Sequence, residues 1–261
     1  MDDTNIKQCC AAFYGSDIAR FLLGDSFHPG GTRLTERLGT LLSLSPAASV
    51  LDVAAGRGTS AFHLAQMFGC HVTGVDLSEE NVCLSTAEVE QLGLTDRVSF
   101  QLGDAERLPF NGATFDAVVC ECAFCTFPSK PAAAKEFFRV LKPAGQIGLS
   151  DLTRTEEQIP GLEGLLSWIA CIGDASPVEG YTMHLRQAGF EIQTVEDHSD
   201  ALVEMVQQVQ ARLLGAEVMV GLKKVNLPGM DFATGKQFAL AALQAARHGA
   251  LGYTAIVARK P

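Results

Sequence analysis

The run Val50-Leu51-Asp52-Val53-Ala54-Ala55-Gly56-Arg57-Gly58-Thr59 constrains this chain more than any other stretch: an apolar strand enters a tight glycine turn and leaves it as a helix. In a nucleotide-binding α/β unit the glycines let the backbone approach a ligand where a Cβ would clash. The following helix points its unpaired N–H groups at that ligand. Only Gly56 and Gly58 are present, so the three-glycine dinucleotide fingerprint is incomplete. A plain strand turn is the competing reading of the motif taken alone.

The surrounding pattern favours the ligand-binding reading. From Ser49 to Asp151 short β-branched runs alternate with helical patterns, which predicts strands near 49–54, 71–76, 96–102, 115–120 and 145–151. The crossovers are Ser60 to Phe68, Glu79 to Leu92 behind a Ser78 cap, and Lys130 to Leu141 before Lys142-Pro143-Ala144-Gly145. Right-handed crossovers make this a doubly wound, mostly parallel α/β sheet, whose ligand crevice lies beyond the carboxyl ends of the strands. Two helices, about 5–23 and 31–43, flank the turn-rich Gly24 to Gly31 and are placed to cover that crevice. Downstream come a segment at 153–179 with Trp168 and Cys171, a helix near 180–188 and a strand at 190–196. Helices at 199–215 and 234–248 and a closing strand at 251–259 follow. Without a repeat or clean linker the chain reads as one domain, 1–261: an N-terminal helical lid (1–48), a cofactor-binding core (49–151) and an acceptor-side and C-terminal part (152–261).

Composition removes several function classes. Hydrophobic residues make up 47% of the 261 and charged ones only 19%, the balance of a globular chain. Thirty acidic residues against 20 basic ones give a formal charge of −10, which opposes binding to a phosphate backbone and excludes nucleic acid as a partner. The acidic start Met1-Asp2-Asp3 leads into no apolar run, and no window approaches the roughly 20 apolar residues of a membrane span. The expectation is a cytoplasmic protein without a membrane partner, whose eight cysteines are thiols rather than a disulfide framework.

Four features at successive strand ends converge on a cofactor. The first strand delivers Gly56 and Gly58. The second ends in Gly74-Val75-Asp76-Leu77, where a carboxylate can accept both hydroxyls of a ribose. The third runs into Gly103-Asp104-Ala105, where Asp104 can accept a hydrogen bond from an adenine amine, and the fourth ends at Cys120-Glu121-Cys122. Asp52, so close to the turn, would repel a pyrophosphate but suits an ammonium or sulfonium. That preference favours S-adenosylmethionine over a dinucleotide. A helix cap competes for Asp76 and a turn residue for Asp104, while Arg57 faces either the methionine carboxylate or solvent.

These elements, together with Phe138-Arg139-Val140-Leu141-Lys142-Pro143-Ala144-Gly145 before the fifth strand, resemble a class I S-adenosylmethionine-dependent methyltransferase. The resemblance implies a seven-stranded Rossmann-like sheet with N-terminal helices and a helical insertion before a reversed last strand. It implies S-adenosyl-L-methionine as cofactor, held by Asp52, Ala54, Gly56, Arg57, Gly58, Asp76, Leu77, Asp104, Ala105, Cys120 and Tyr14.

For the methyl acceptor the sequence speaks through its thiols. Cys120, Cys122 and Cys125 crowd the presumed lip of the active site, and burial alone does not account for the third of them. A closed zinc site lacks a second cysteine pair, whereas soft thiolates would suit a trivalent metalloid. Among methyltransferases the chain most resembles the arsenite methyltransferases, through Glu121-Cys122, through Cys171 ahead of Gly173-Asp174-Ala175-Ser176-Pro177, and through Cys9-Cys10 near Tyr14-Gly15. Two departures stand out: that family carries Asn where Glu121 stands here, and its amino-terminal Cys follows the Tyr-Gly pair. The resemblance implies catalytic Cys122, Cys171 and Cys10, and metalloid ligands drawn from Cys122, Cys171, Cys9, Cys10 and Cys125. It leaves room for a thiol co-substrate and sets no oligomeric state. Glu121 and His28 are the bases held in reserve for a protonated acceptor. Cys70 and Cys83 read as buried apolar thiols. The competing functions are methylation of an organic small molecule, quinone-like or a biosynthetic intermediate, and a non-catalytic binder on the same fold.

Overall fold

The computed structural model describes residues 17–24, 26–155, 159–164, 166–167, 170–222 and 231–261. Cys9, Cys10, Tyr14 and Trp168, all marked by the sequence, lie outside these residues. The core is a seven-stranded sheet in the order β3-β2-β1-β4-β5-β7-β6. Its strands are β1 (Ser49–Val53), β2 (His71–Asp76), β3 (Val98–Leu102), β4 (Phe115–Glu121), β5 (Leu141–Arg154), β6 (Glu191–Asp197) and β7 (Leu251–Arg259). The first five are parallel, and β7 runs antiparallel to both β5 and β6. The order reverses between β1 and β4, and there a crevice opens at the strand ends.

Local chemistry explains the elements. Val50, Leu51 and Val53 are buried because helices cover both faces of a parallel sheet, so β1 is buried continuously from Val50 to Val53 rather than at alternate residues. Helix α3 (Thr59–Phe68) follows the Gly58 turn, and α4 (Glu79–Leu92) is capped by Ser78, whose Oγ accepts from the Asn81 N–H at 3.2 Å. Helix α5 (Lys130–Val140) ends where β5 begins at Leu141, earlier than the expected 145. Leu141 pairs with Phe115, Gln146 with Ala117, and the residues between them loop out of register with Ala144 at φ 62°. The Lys142-Pro143-Ala144-Gly145 signal marks a bulge at the start of a strand, because a proline cannot donate to a ladder but is tolerated there.

Helices α1 (Asp17–Leu23) and α2 (Gly31–Leu41) precede the sheet, α6 (Val178–Ala188) leads to β6, and α7 (Ser199–Gly221) and α8 (Phe232–Arg247) form the insertion before β7. Helix α7 runs six residues past the expected end at 215. A Cβ on Gly215 would meet nothing within 4 Å, so that glycine faces open space and interrupts no packing. Leu213 and Ala216 on either side of it are buried. Among the described residues no helix is long and apolar enough to cross a membrane.

Candidate functional site

A cleft at the carboxyl ends of β1 to β4 gathers most of the residues expected at the cofactor. Asp52, Ala54, Gly56, Arg57, Asp76, Leu77, Asp104 and Ala105 line it together, and Cys122 closes one side. Two expected members do not line it. Cys120 is fully buried inside β4, where burial pushes its thiol well above the ordinary cysteine range, so it serves the core and not the cofactor. Gly58 is glycine for packing: at φ 84°, an added Cβ would meet the Phe100 ring at 2.5 Å and the Phe62 ring at 2.8 Å. Those two rings stack edge to face with centroids 5.6 Å apart, filling the space under the turn.

Asp76 organises the glycine turn. Its Oδ2 accepts from the Gly56 N–H at 2.8 Å, and its Oδ1 from the Ser78 N–H at 2.8 Å and the Asn81 Nδ2 at 3.2 Å. A carboxylate offers about four lone-pair positions, so about one is left for a ligand, where the sequence suggested acceptance of two ribose hydroxyls. The hydrogen bonds that tie Asp76 to the turn and to the start of α4 therefore leave room for a ligand contact. Gly56 at φ 55° and Ala54 at φ 58° both hold left-handed conformations, and for Ala54 this is a cost that a plain strand end would avoid. Asp104 shows the turn geometry that competed for it, its Oδ1 accepting from the Glu106 N–H at 2.9 Å, while it still lines the cleft.

The deeper wall of the cleft is acidic. Burial first, then the negative charges of Glu121 and Asp76, push the Asp52 carboxyl well above the usual range. Glu121, at the end of β4, accepts through Oε2 from Ser60 Oγ at 2.6 Å and Thr35 Oγ1 at 2.9 Å, with His28 Nε2 3.6 Å away. Asp52 Oδ2 and Glu121 Oε1 are buried without a hydrogen-bond partner. Two orphaned carboxyl oxygens on one wall fit a ligand with a positive end, and a glycine turn open to the cleft lets the rest of the ligand lie close against the backbone. S-adenosylmethionine, with its sulfonium and ammonium, satisfies both requirements. Thr35 and Ser60 escaped notice in the sequence because they come from α2 and α3, far apart in the chain, and neither stands in a motif.

The thiols do meet. Cys171 Sγ lies 3.4 Å from the carbonyl oxygen of Cys122, and both residues adopt left-handed backbone angles, φ 61° and 52°. Contact with Cys171, then burial, raises the Cys122 thiol well above the ordinary range. Burial, then Cys171, does the same to Cys125. The expected thiolates are in this state thiols, because a dry cluster next to the Asp151 carboxyl disfavours further negative charge. Among the described residues no group of three His, Cys, Asp or Glu side chains is arranged to hold a metal ion. Cys70 is buried as expected and donates to the Leu64 carbonyl at 3.5 Å, whereas Cys83 is exposed on α4, its helix carrying apolar residues on more than one face.

Asp151 itself accepts from the Cys125 and Leu152 N–H groups, each at 2.8 Å, and burial raises its carboxyl to about 7. The folded state then holds this proton more tightly than the unfolded chain does, so stability falls as pH rises from about 4 to about 7 and levels off above that. The expected loss is at most about 4 kcal/mol. Urea unfolding at pH 5 and pH 8 checks it: Asp151→Asn removes a clear part of the difference, and an unchanged difference refutes the assignment.

A second cavity adjoins the first and shares Phe27 and Cys122 with it. Leu202, Met205, Val209, Leu213, Phe238 and Ala239 of α7 and α8 line it, with Leu22 and Leu23 of α1 and Leu166. Phe124 is fully buried in the core, and Phe127 lines the cofactor cleft. The apolar spacing of α7 and α8 was visible in the sequence, but which cavity it faces was not.

The reversed seventh strand beside a 3-2-1-4-5 parallel order, with the glycine cradle at the switch point and Asp76 at the end of β2, defines a class I methyltransferase fold, whose cofactor is S-adenosylmethionine. Residues 50–145 match the methyltransferase domain family. The chain is 33% identical over 187 residues to a phosphoethanolamine N-methyltransferase of Triticum aestivum, covering 70% of this chain and 36% of that one. It is 27% identical to the 27-O-demethylrifamycin SV methyltransferase of Amycolatopsis mediterranei over 262 residues, 94% of each chain. The crystal structure of a putative sarcosine dimethylglycine methyltransferase from Galdieria sulphuraria superposes with a TM-score of 0.81 at 21% identity, covering 97% of this chain and 98% of that one. The chain spans half or less of the first two curated relatives it matches.

Proposed function

We propose that this protein transfers a methyl group from S-adenosylmethionine to an apolar organic small molecule. The observation that carries the proposal is the pair of cavities meeting at Phe27 and Cys122: an acidic, glycine-cradled cleft opens beside an apolar chamber. Asp76 and the Gly56 turn would hold the ribose side, Asp104 and Ala105 the adenine, and Asp52 the cationic end. When bound, the cofactor supplies an electrophilic methyl on sulfur. The protein's own contribution is orientation and the exclusion of water, by α1, α2, α7 and α8 acting as the cover. The names of the Triticum and Amycolatopsis relatives state organic acceptors, which supports an organic rather than a metalloid acceptor, while the apolar character rests on the chamber alone.

The contact between Cys122 and Cys171 favours a second reading, transfer to a thiolate-bound metalloid such as arsenite. The raised thiols and the apolar chamber weigh against it. Methyl-labelled S-adenosylmethionine offered with a panel of apolar phenols and quinols, and separately with arsenite, distinguishes the two. The double variant Cys122→Ala, Cys171→Ala is expected to retain clear transfer to an organic acceptor, because no thiolate takes part in that reaction, whereas transfer to a thiolate-bound metalloid would be lost. Arsenite methylation by the wild type that this variant abolishes would reverse the order of the readings.

A further inference from the structure

We propose that Glu121 is a donor-recognition residue: with Asp52 it forms a two-carboxylate seat for the α-ammonium of the cofactor's methionine end. This rests on the methyl-donor reading above and adds to it a residue and a specificity. Glu121 is nearly buried, its side chain 3% exposed, and lines the donor cleft but not the apolar chamber. Its Oε2 is held by Ser60, Thr35 and the nearby His28, which together fix the carboxylate plane. Its Oε1 is buried without a partner, and so is Asp52 Oδ2 on the neighbouring strand. A buried carboxyl oxygen without a partner is costly unless a donor arrives, and two on one wall call for a compact group with several N–H donors and a positive charge. An ammonium provides three donors and the charge. The supports of Oε2 come from α2, α3 and the segment before α2, so the seat is completed only when the N-terminal helices sit against the core.

Calorimetry with two neutral-sulfur ligands isolates the ammonium, since S-adenosylhomocysteine carries it and 5′-methylthioadenosine does not. Glu121→Gln turns the unpartnered acceptor into a donor facing the ammonium. It is expected to weaken S-adenosylhomocysteine binding by about tenfold or more while leaving methylthioadenosine within about twofold, the scale of one charge-assisted hydrogen bond. Retained methylthioadenosine binding also shows that the variant is folded. Should Glu121→Gln fail to fold, Asp52→Asn is held to the same selective loss. Equal loss of both ligands, or loss of neither, overturns the assignment. A wild-type protein that binds neither ligand overturns the donor reading itself.

Discussion

Replacing Asp76 with alanine lowers the affinity for S-adenosylhomocysteine by about 100-fold, corresponding to roughly 3 kcal/mol. The size follows from what the carboxylate holds. Three donors, the Gly56 and Ser78 N–H groups and the Asn81 amide, converge on it, so the substitution removes a ligand contact and also frees the turn that shapes the cleft. Glycine at φ 55° has no intrinsic preference for that conformation, and Asp76 supplies the restraint. Because the freed groups are buried at Asn81 and half-buried at Gly56 and Ser78, a stability loss of about 1–3 kcal/mol accompanies the binding loss. Titration calorimetry and urea unfolding read the two separately. An affinity within about threefold of wild type would mean that Asp76 only caps α4.

The second large effect is expected at Ala239. This residue is 5% exposed on α8 and faces the apolar chamber, so Ala239→Trp puts an indole into the space assigned to the acceptor. Transfer to an apolar quinol is expected to fall by at least about 100-fold, since misplacing the reacting atoms by about 1 Å already costs that much. The affinity for S-adenosylhomocysteine stays within about threefold, because the chamber meets the donor cleft only at Phe27 and Cys122. Undiminished transfer would place the acceptor elsewhere. A chamber that binds an acceptor through hydrophobic area and few polar contacts is also one in which a single overfilling side chain is decisive.

Much of the fold was legible from the chain. The five parallel strands follow from β-branched runs spaced by helical patterns, and Ser78 caps α4 as its position suggested, because both signals are local. The bulge at Lys142 to Gly145 was legible only as a break, since its meaning depends on Leu141 finding Phe115 across the sheet. At the site, Asp52, Gly56, Asp76 and Asp104 could be marked because each sits at a strand end, where the topology of a doubly wound sheet sends side chains to one crevice. Gly58 and Cys120 share those strand ends, yet Phe100 claims the space beside one and the core claims the other.

The sequence by itself determined the sheet, the switch point and the kind of donor, because glycines, a strand-end acid and a 2.0 or 3.6 periodicity act over a few residues. Only the tertiary structure decided the state of the thiols and the making of the apolar chamber. Thiols that look like ligands on paper are neutral when Asp151 and the core enclose them, and the apolar faces of α7 and α8 become a chamber only once they fold over Cys122. It likewise decided Glu121: a carboxylate becomes a seat for a cation when Ser60, Thr35 and His28, from three places in the chain, fix one of its oxygens and leave the other without a partner. Protonation state and burial depend on neighbours distant in sequence, and no local pattern carries that information.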